Sequence, residues 1–295
     1  MRRGKVFKLG VFTDEVSQDF ERALHVIKKD FQVNYVELRT MWNKNLIELA
    51  DTEIKYVKKL LDKYNLQVSC VASPFLKCDL IEEKGGTKKD TFFKGEGGYK
   101  AHLSILERSI ELAKIFSTKL IRSFSFWRVK DSIDYETWHE IVYKIKFAVS
   151  KVEKEGLILA LENEYECNIA TGAEACKLMK EINSSHLGLI WDPGNAFFAG
   201  ETPYPDGYNL IKDRIVHVHI KDAGKNEKGE LIWLPVGKGE IDFQGQFQAL
   251  EKDNFQGVVS LETHYIPKGG SAEEGTRESF IGMSSILQSL GIKTV

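Results

Sequence analysis

Four short segments in the second half of the chain share one pattern of apolar and polar positions. They are Leu157–Asn163, Leu187–Asn195, Ile215–Ala223 and Gly257–Tyr265. In each segment, alternate residues are large and apolar, and the positions between them end in a carboxylate or an imidazole. Because alternate side chains of a strand share a face, each segment predicts a strand with one apolar face and one face that becomes polar at its carboxyl end.

The second face of these strands predicts where the functional site lies. It carries small or apolar residues followed by polar ones: Ala160 and Glu162; Gly188, Ile190 and Asp192; His217, His219 and Lys221; Val258, Ser260 and Glu262. In a (β/α)8 barrel, helices cover the outer faces of parallel strands, and polar residues at the carboxyl ends of the strands form the active site. We therefore expect the second face to line a barrel.

Similar patterns fill the rest of the chain with alternating strands and helices. The other predicted strands are Lys8–Asp14, Tyr35–Thr40, Gln67–Pro74 and Lys119–Trp127, and the predicted helices are Phe20–Lys29, Thr52–Tyr64, Ala101–Phe116, Ile133–Glu155, Thr171–Ile182, Tyr208–Arg214, Phe243–Lys252 and Ala272–Leu290. Eight strands alternating with eight helices predict an α/β fold, a single (β/α)8 TIM barrel in one domain over residues 1–295.

Two glycine-rich and charged stretches, Phe75–Gly98 and Gly224–Glu240, are predicted as long loops. Long loops in compact domains are usually functional or disordered. The first loop is open to two interpretations, a lid over the barrel mouth or a surface excursion.

Composition narrows the classes of partner and compartment. The chain has 41 basic and 43 acidic residues, a net charge of −2, which gives no broad positive field for nucleic acid. Its four cysteines show no CxxC spacing and are expected to be reduced thiols. No apolar run reaches the ~18 residues of a membrane span. The apolar run after the basic first residues is too short, and charged residues follow it too closely, for a signal peptide. We expect a soluble, cytoplasmic protein that binds neither nucleic acid nor membranes.

Each polar strand end has an ordinary structural interpretation when it is taken alone. Asp192 lies in a DPGN turn sequence, and His217 and His219 could be core histidines bonded to the backbone. Glu162 and Glu262 are harder to explain in this way, because a carboxylate beside a buried strand must be paired, metal-bound or at the solvent edge. Four consecutive strand ends carrying such groups in the same phase together predict a metal site.

The motifs at these strand ends resemble the xylose isomerase-like TIM-barrel superfamily, the sugar phosphate isomerase/epimerase group. The resemblance rests on Glu162-Asn163 (EN), Trp191–Asn195 (WDPGN), His217–Asp222 (HVHIKD) and Leu261–Tyr265 (LETHY). It runs over nearly the whole chain, from Leu9–Glu15 (LGVFTDE) to the last helix. The resemblance implies the barrel fold strongly and the substrate only weakly, because this group contains isomerases, ketose 3-epimerases, inosose dehydratases and endonuclease IV-type enzymes.

The resemblance also implies a set of site residues. One divalent metal ion would be held by Glu162, Asp192, His219 and Glu262, and the two glutamates would also act as acid and base on opposite faces of a sugar. These ligand types suit Mn²⁺, Mg²⁺, Co²⁺ or Zn²⁺. A metal next to the keto oxygen would stabilise the charge formed when a proton α to the carbonyl is removed.

Other polar residues are predicted to contact the substrate. They are Glu37, Asn195, His217, Lys221 and Lys238. Lysine side chains could bind a substrate carboxylate or phosphate, whereas ordinary ion pairing within the barrel is the alternative for the charged members of this set.

The chain departs from the ketose epimerases and from the endonuclease IV pattern at several positions. Asn195 replaces the substrate-contacting histidine of the epimerases, and Asn168 replaces one of their glutamates. No histidine occurs at the third or fourth strand end or in the segment before Phe243, where the three-metal endonucleases need further ligands.

The leading hypothesis from the sequence is a metal-dependent isomerase or epimerase of a keto sugar or sugar acid. An inosose-type dehydratase shares its first step, and an endonuclease IV-like phosphodiester hydrolase and a non-enzymatic sugar-binding barrel are alternatives from other classes. The expected partner is a small sugar or sugar acid, and a homo-oligomer is left open.

Overall fold

The computed structural model describes residues 6–81, 90–93, 98–130 and 132–295. Parallel strands form its centre, in the order β1 Val6–Phe12, β2 Tyr35–Leu38, β3 Gln67–Val71, β4 Leu120–Ser123, β5 Ile158–Glu162, β6 Leu187–Trp191, β7 Ile215–Ile220 and β8 Val258–Leu261. Each strand pairs with the next along the chain, and β8 pairs with β1, so the eight strands close into a barrel. The predicted α/β class and (β/α)8 TIM barrel are confirmed.

Amphipathic helices cover the outside of the barrel. They are α1 Phe20–His25, α2 Asp51–Tyr64, α3 Tyr99–Ile115, α4 Tyr135–Lys154, α5 Gly172–Ile182, α6 Tyr208–Ile211, α7 Phe243–Lys252 and α8 Ala272–Ser289. Helix α2 illustrates the pattern, because Ile54, Val57, Leu60 and Leu61 recur at helical spacing and are its buried residues. Among the described helices, none is both long and apolar enough to cross a membrane.

The main apolar core lies between the strands and the helices, and a smaller apolar cluster lies apart from it. The outward-facing residues Leu159, Leu189 and Val259 belong to the main core. Cys70, Ala160 and Ile190 form the small cluster, against which Leu120 packs. A residue two positions after an inward-facing one shares its face, so Arg122 on β4 faces inward like Leu120. The sequence had left this orientation open.

The structure differs from the sequence-based elements mainly at the carboxyl ends of strands. Strand β1 ends at Phe12 rather than Asp14, and Thr13–Val16 forms a helical turn. The segment Pro193–Phe198 forms a short helix that the sequence analysis did not predict. Both differences lie at residues whose side chains are held by hydrogen bonds, Asp14 and Asp192. There, these bonds determine the local structure more strongly than the alternation of apolar and polar residues does.

The two predicted long loops differ in what the structure describes of them. The strands Asp222–Lys225 and Leu231–Leu234 form an antiparallel hairpin, so the connection predicted as a long loop over Gly224–Glu240 contains regular structure. Much of the loop predicted over Phe75–Gly98 lies outside the described residues. Its Phe92 carbonyl accepts a hydrogen bond from Asn45, which ties this described part of the loop to the segment after β2.

Candidate metal and active site

Four side chains meet at the carboxyl ends of β5 to β8. Glu162 is the last residue of β5, Asp192 and Glu262 directly follow β6 and β8, and His219 is the fifth of the six residues of β7. One potential ligand atom from each lies within 4.8 Å of all the others, and all four side chains are buried. We call this set the four-ligand cluster. The structure therefore brings together the residues that the sequence predicted as metal ligands.

The ligand atoms of this cluster are poorly satisfied by the protein. Asp192 Oδ2, His219 Nδ1 and Glu262 Oε2 are buried and make no hydrogen bond within the described part of the chain. Such atoms carry a desolvation cost unless something pairs with them. The arrangement fits a divalent cation, because carboxylate oxygens and an imidazole nitrogen are its usual ligands.

Lys221 supplies one positive charge to the cluster. Its Nζ lies 2.9 Å from Asp192 Oδ2, 3.0 Å from Glu262 Oε2 and 3.5 Å from Glu162 Oε1. These contacts balance part of the charge of three buried carboxylates. A divalent ion would therefore still improve the charge balance.

The pKa values reflect this crowding of like charges. Burial is the largest cause that raises the pKa of Asp192 to about 6; the nearby Glu162 and Glu262 carboxylates act in the same direction, and Lys221 opposes them. Burial would also raise the pKa of Glu262, but Lys221 and His219 hold it well below its usual value. The two glutamates remain ionised at neutral pH, and Asp192 is the carboxyl group of the cluster whose pKa is raised.

Asp192 acts in the local fold as well as in the cluster. Its Oδ1 accepts a hydrogen bond from the backbone N–H of Asn195 at 2.9 Å, which caps the short helix Pro193–Phe198. Its backbone N–H donates to Asn163 Oδ1 at 2.8 Å. These bonds fix the side chain, so that its second oxygen, Oδ2, lies in the cluster. The turn interpretation and the ligand interpretation of this aspartate are thus compatible.

The predicted substrate contacts divide into three groups. Asn195 lies in the cluster region and donates from Nδ2 to Glu162 Oε1 at 3.1 Å, and Lys221 lies in the cluster as described. Glu37 and His217 are fully buried and bonded to each other. Lys238 is exposed, and its backbone N–H bonds to the carbonyl of Pro235.

Glu37 lies on the opposite side of the His219 ring from the cluster. The Nε2 of His217 is 2.8 Å from Glu37 Oε2, and the Nε2 of His219 is 3.1 Å from the same oxygen. Burial raises the pKa of Glu37, but the two imidazoles outweigh this effect and hold it below its usual value. An ionised carboxylate only accepts, so it fixes the proton of His219 on Nε2 and leaves Nδ1 facing the cluster.

A second group of acids surrounds Arg39 next to the four-ligand cluster. Arg39 Nε is 2.8 Å from Asp14 Oδ2, Nη2 is 2.7 Å from Glu15 Oε1, and Nη1 is 2.5 Å from Glu262 Oε1. We call Asp14, Glu15, Arg39 and Glu262 the Arg39 cluster. Glu262 belongs to both clusters through different oxygens, which makes it the link between them.

The sequence analysis missed several polar residues of the barrel mouth. Asp14 is the last residue of the predicted first strand and Glu15 follows it, so the strand-end rule could have found them. His264 comes two positions after Glu262, beyond the end of β8, and its Nε2 lies 3.2 Å from Glu262 Oε1. Arg122 Nη1 donates to Glu162 Oε2 at 3.1 Å. Its alternation with apolar neighbours hid this role in the sequence.

Comparison with known proteins assigns the chain to a family of TIM-barrel enzymes. A family model described as xylose isomerase-like TIM barrel matches residues 29–284. An inosose dehydratase of Clostridium beijerinckii is 26% identical over 234 residues, which are 73% of this chain and 75% of the relative.

Solved structures also share the fold. One is described as the IOLI protein with a bound zinc atom; it has a TM-score of 0.74 and 20% identity, with coverage of 96% of this chain and 99% of that one. A D-allulose 3-epimerase from Methylomonas sp., in complex with D-allulose, has a TM-score of 0.70 and 18% identity, with coverage of 96% and 97%. At these identities the structural likeness concerns the fold.

Proposed function

This chain belongs to the xylose isomerase-like TIM barrel family, and we propose that it is a metal-dependent isomerase or epimerase of a small polyhydroxylated ketone. The reaction begins with removal of a proton from the carbon next to the carbonyl. One observation carries the proposal: the four-ligand cluster, with three buried ligand atoms that the described protein leaves without hydrogen bonds.

Glu162, Asp192, His219 and Glu262 would hold one divalent ion. When bound, the ion would supply Lewis-acid stabilisation of the negative charge that develops on the carbonyl oxygen. Mn²⁺, Mg²⁺, Co²⁺ and Zn²⁺ all suit three carboxylates and one imidazole, and the ligand set does not select among them.

Glu162 and Glu262 are the proposed bases. They lie at the ends of β5 and β8, which are separated by two strands of the ring, so a substrate between them can be approached from two sides. Arg122 and Asn195 orient Glu162 through one oxygen each, and Arg39 orients Glu262. Removal of the proton by one glutamate and its return by the other inverts a carbon centre, which is epimerisation.

A second candidate is a dehydratase, which the similarity to the inosose dehydratase favours. It would use the same first step. The hydroxyl group on the next carbon would then leave with a proton as water, and a carbon–carbon double bond would form. Both candidates need the same base and the same stabilisation of charge, so the geometry supports their common step most strongly.

A phosphodiester hydrolase of the endonuclease IV type is less well supported. Two further groups of acids and histidines in the described residues could in principle hold ions. Glu37 bonds to both His217 and His219. Arg39 bonds to both glutamates of the other group, Glu15 and Glu262. The arrangement thus favours one ion over the several that such hydrolases need.

Proton exchange in D₂O tests the proposal directly. Enzyme stripped of metal and then reloaded with Mn²⁺ or Mg²⁺ is incubated with keto sugars, keto acids and inososes; Mn²⁺ is removed before proton NMR spectra are recorded. We expect metal-dependent loss of a C–H signal next to the carbonyl of at least one compound. An isomer keeps the substrate mass, and a dehydrated product lacks one water. Metal binding without exchange on any compound would contradict the proposal.

A further inference from the structure

Aromatic side chains form an arc beside the four-ligand cluster. Trp233 lies on the second strand of the hairpin that follows β7 and stacks on Phe198, with 4.1 Å between ring centroids and 22° between planes. Tyr165 lies 5.1 Å from Phe198, and His264 meets the Trp233 ring edge-on at 5.5 Å. These four residues come from segments that follow β5, β6, β7 and β8, and we call them the aromatic arc.

The aromatic arc is fixed next to the cluster by close packing. Lys221 Nζ lies 5.8 Å from the centre of the Trp233 ring and, as noted above, 2.9 Å from Asp192. A side chain at Gly194 would place its Cβ 2.8 Å from Lys221 and 3.0 Å from Trp233. Both contacts are too short, so the indole packs directly against the turn that follows Asp192.

The rings of the aromatic arc keep part of their surface exposed. Tyr165 is 36% exposed, and Phe198, Trp233 and His264 are partly buried. Apolar surface left in water costs about 25 cal/mol per Å² relative to burial. An apolar surface bordered by charged groups is typical of a ligand-binding site. The buried charges of the cluster lie on one side of this surface, at Lys221.

We propose that the aromatic arc binds the C–H face of a six-membered, polyhydroxylated ring, with Trp233 as its main contact. This inference rests on the proposed function, because it selects cyclic ketones from the wider substrate class. A ring with mostly equatorial hydroxyl groups presents axial C–H bonds on its faces and hydroxyl groups around its rim. The electron-rich face of an indole attracts the C–H bonds, and charged groups such as Lys221 bond to the hydroxyl groups.

An open-chain keto sugar fits this surface less well. Its hydroxyl groups project on all sides of a flexible chain, so it has no flat apolar face for the indole. It also loses more rotational freedom when it is held in one conformation. The aromatic arc thus favours cyclic over acyclic polyols of the same size.

Binding of unreactive polyols tests the inference without turnover. The probes are myo-inositol, which is cyclic, and sorbitol, which is acyclic; neither has a ketone. Saturation-transfer NMR with the Mg²⁺-loaded enzyme, with irradiation of the aromatic protein protons, reports which ligand protons lie against rings. We expect transfer to the ring C–H protons of myo-inositol and roughly ten-fold weaker affinity for sorbitol.

Variants of the arc locate the contact. Trp233→Leu is expected to weaken myo-inositol binding roughly ten-fold, and Trp233→Phe, which keeps an aromatic face, by less. Tyr143→Ala changes an aromatic residue that is 67% exposed on α4 and serves as the matched control, with unchanged affinity. Melting temperatures check that each variant folds.

The possible results separate this inference from the proposed function. Ring binding that depends on Trp233, without proton exchange on any ketone, would keep the aromatic arc and reject the enzymatic proposal. Proton exchange on open-chain keto sugars with kcat/KM unchanged in Trp233→Leu would overturn the aromatic arc and keep the enzyme. Absence of myo-inositol binding, or equal binding of the two polyols by the unmodified enzyme, would also overturn it, whatever the variants do.

Discussion

The two neighbouring groups of acids at the barrel mouth, which share Glu262, differ in how completely the protein satisfies them. In the Arg39 cluster, each guanidinium nitrogen faces a different carboxylate, and Asp14 Oδ1 alone has no partner among the described residues. In the four-ligand cluster, three ligand atoms make no hydrogen bond within the described residues. Lys221 Nζ nevertheless lies 2.9 Å from Asp192 Oδ2 and 3.0 Å from Glu262 Oε2. We infer that the Arg39 cluster is a structural ion network, whereas the four-ligand cluster, which has Lys221 as its own cation, can hold a divalent ion as well.

The largest expected effect is on turnover, through the base in the four-ligand cluster. Glu162→Gln keeps the size of the side chain and an oxygen for Arg122, but it removes the proton acceptor. We expect the rate of proton exchange to fall by about 10²- to 10⁴-fold. Exchange rates in D₂O measure the loss, and an unchanged melting temperature shows that folding is intact. Near-normal exchange would remove Glu162 from the base role.

The Arg39 cluster should respond in stability. Arg39→Met leaves three buried carboxylates without their cation, and we expect the free energy of unfolding to fall by about 3–5 kcal/mol. Arg22→Met is the matched control, because Arg22 pairs with Glu273 at the surface and its side chain is 49% exposed; we expect its stability to stay close to that of the unmodified chain. Urea unfolding measures both. Equal losses would contradict the view that the Arg39 cluster is a structural ion network.

A buried histidine outside both clusters, His102, is expected to contribute to the loss of stability at acid pH. Burial lowers the pKa of His102 to about 4, and its Nδ1 accepts the N–H of Leu76 at 3.0 Å. The neutral, buried His102 contributes fully to the free energy of unfolding above the unfolded-state pKa of about 6.5. This contribution is lost as the pH falls toward 4, and the total loss is about 3 kcal/mol.

His102→Asn keeps an acceptor but does not titrate. Urea unfolding at pH 7, 5.5 and 4.5 should therefore give a shallower loss of stability in this variant than in the unmodified chain. The same pH dependence in both proteins would exclude His102 as the source and return the effect to the acids of the mouth.

The smallest expected effect concerns the residue behind His219. Glu37→Gln can donate to Nε2 as well as accept from it, so the proton of His219 is no longer fixed away from the cluster. We expect divalent-metal affinity to fall by about 10- to 100-fold, as is usual for such supporting partners. Calorimetric metal titration measures the change. Unchanged affinity would mean that the ring is oriented by packing alone, for example by Phe12, whose ring lies 5.0 Å away.

Local alternation predicted the barrel and a metal site at four strand ends, whereas the four individual ligands were implied by the family resemblance. A residue two positions from another shares its face, so the polar ends of four strands could be assigned to one mouth. It could not predict which partner each polar residue takes. Glu37 and Lys221 both lie on inward faces, yet one lies behind His219 and the other among the ligands. Those choices depend on the stagger between strands and on side-chain length.

Contacts between distant segments were also beyond the sequence. Trp233 was part of a predicted long loop, and the pairing of Ala223 with Trp233 in the hairpin brings its ring beside Lys221. Similarly, Arg39 bonds to residues about 25 positions before it and 223 positions after it. Periodicity carries no information on such long-range pairs.

Calorimetric titration of the metal-stripped protein with Zn²⁺ or Mn²⁺ tests the central claim most directly. We predict one ion bound per chain, with binding lost in Asp192→Asn and kept in Arg22→Met. The aspartate is chosen because it belongs to the four-ligand cluster and not to the Arg39 cluster. Binding of several ions, or binding that is unchanged in Asp192→Asn, would contradict the assignment of the four-ligand cluster as the metal site.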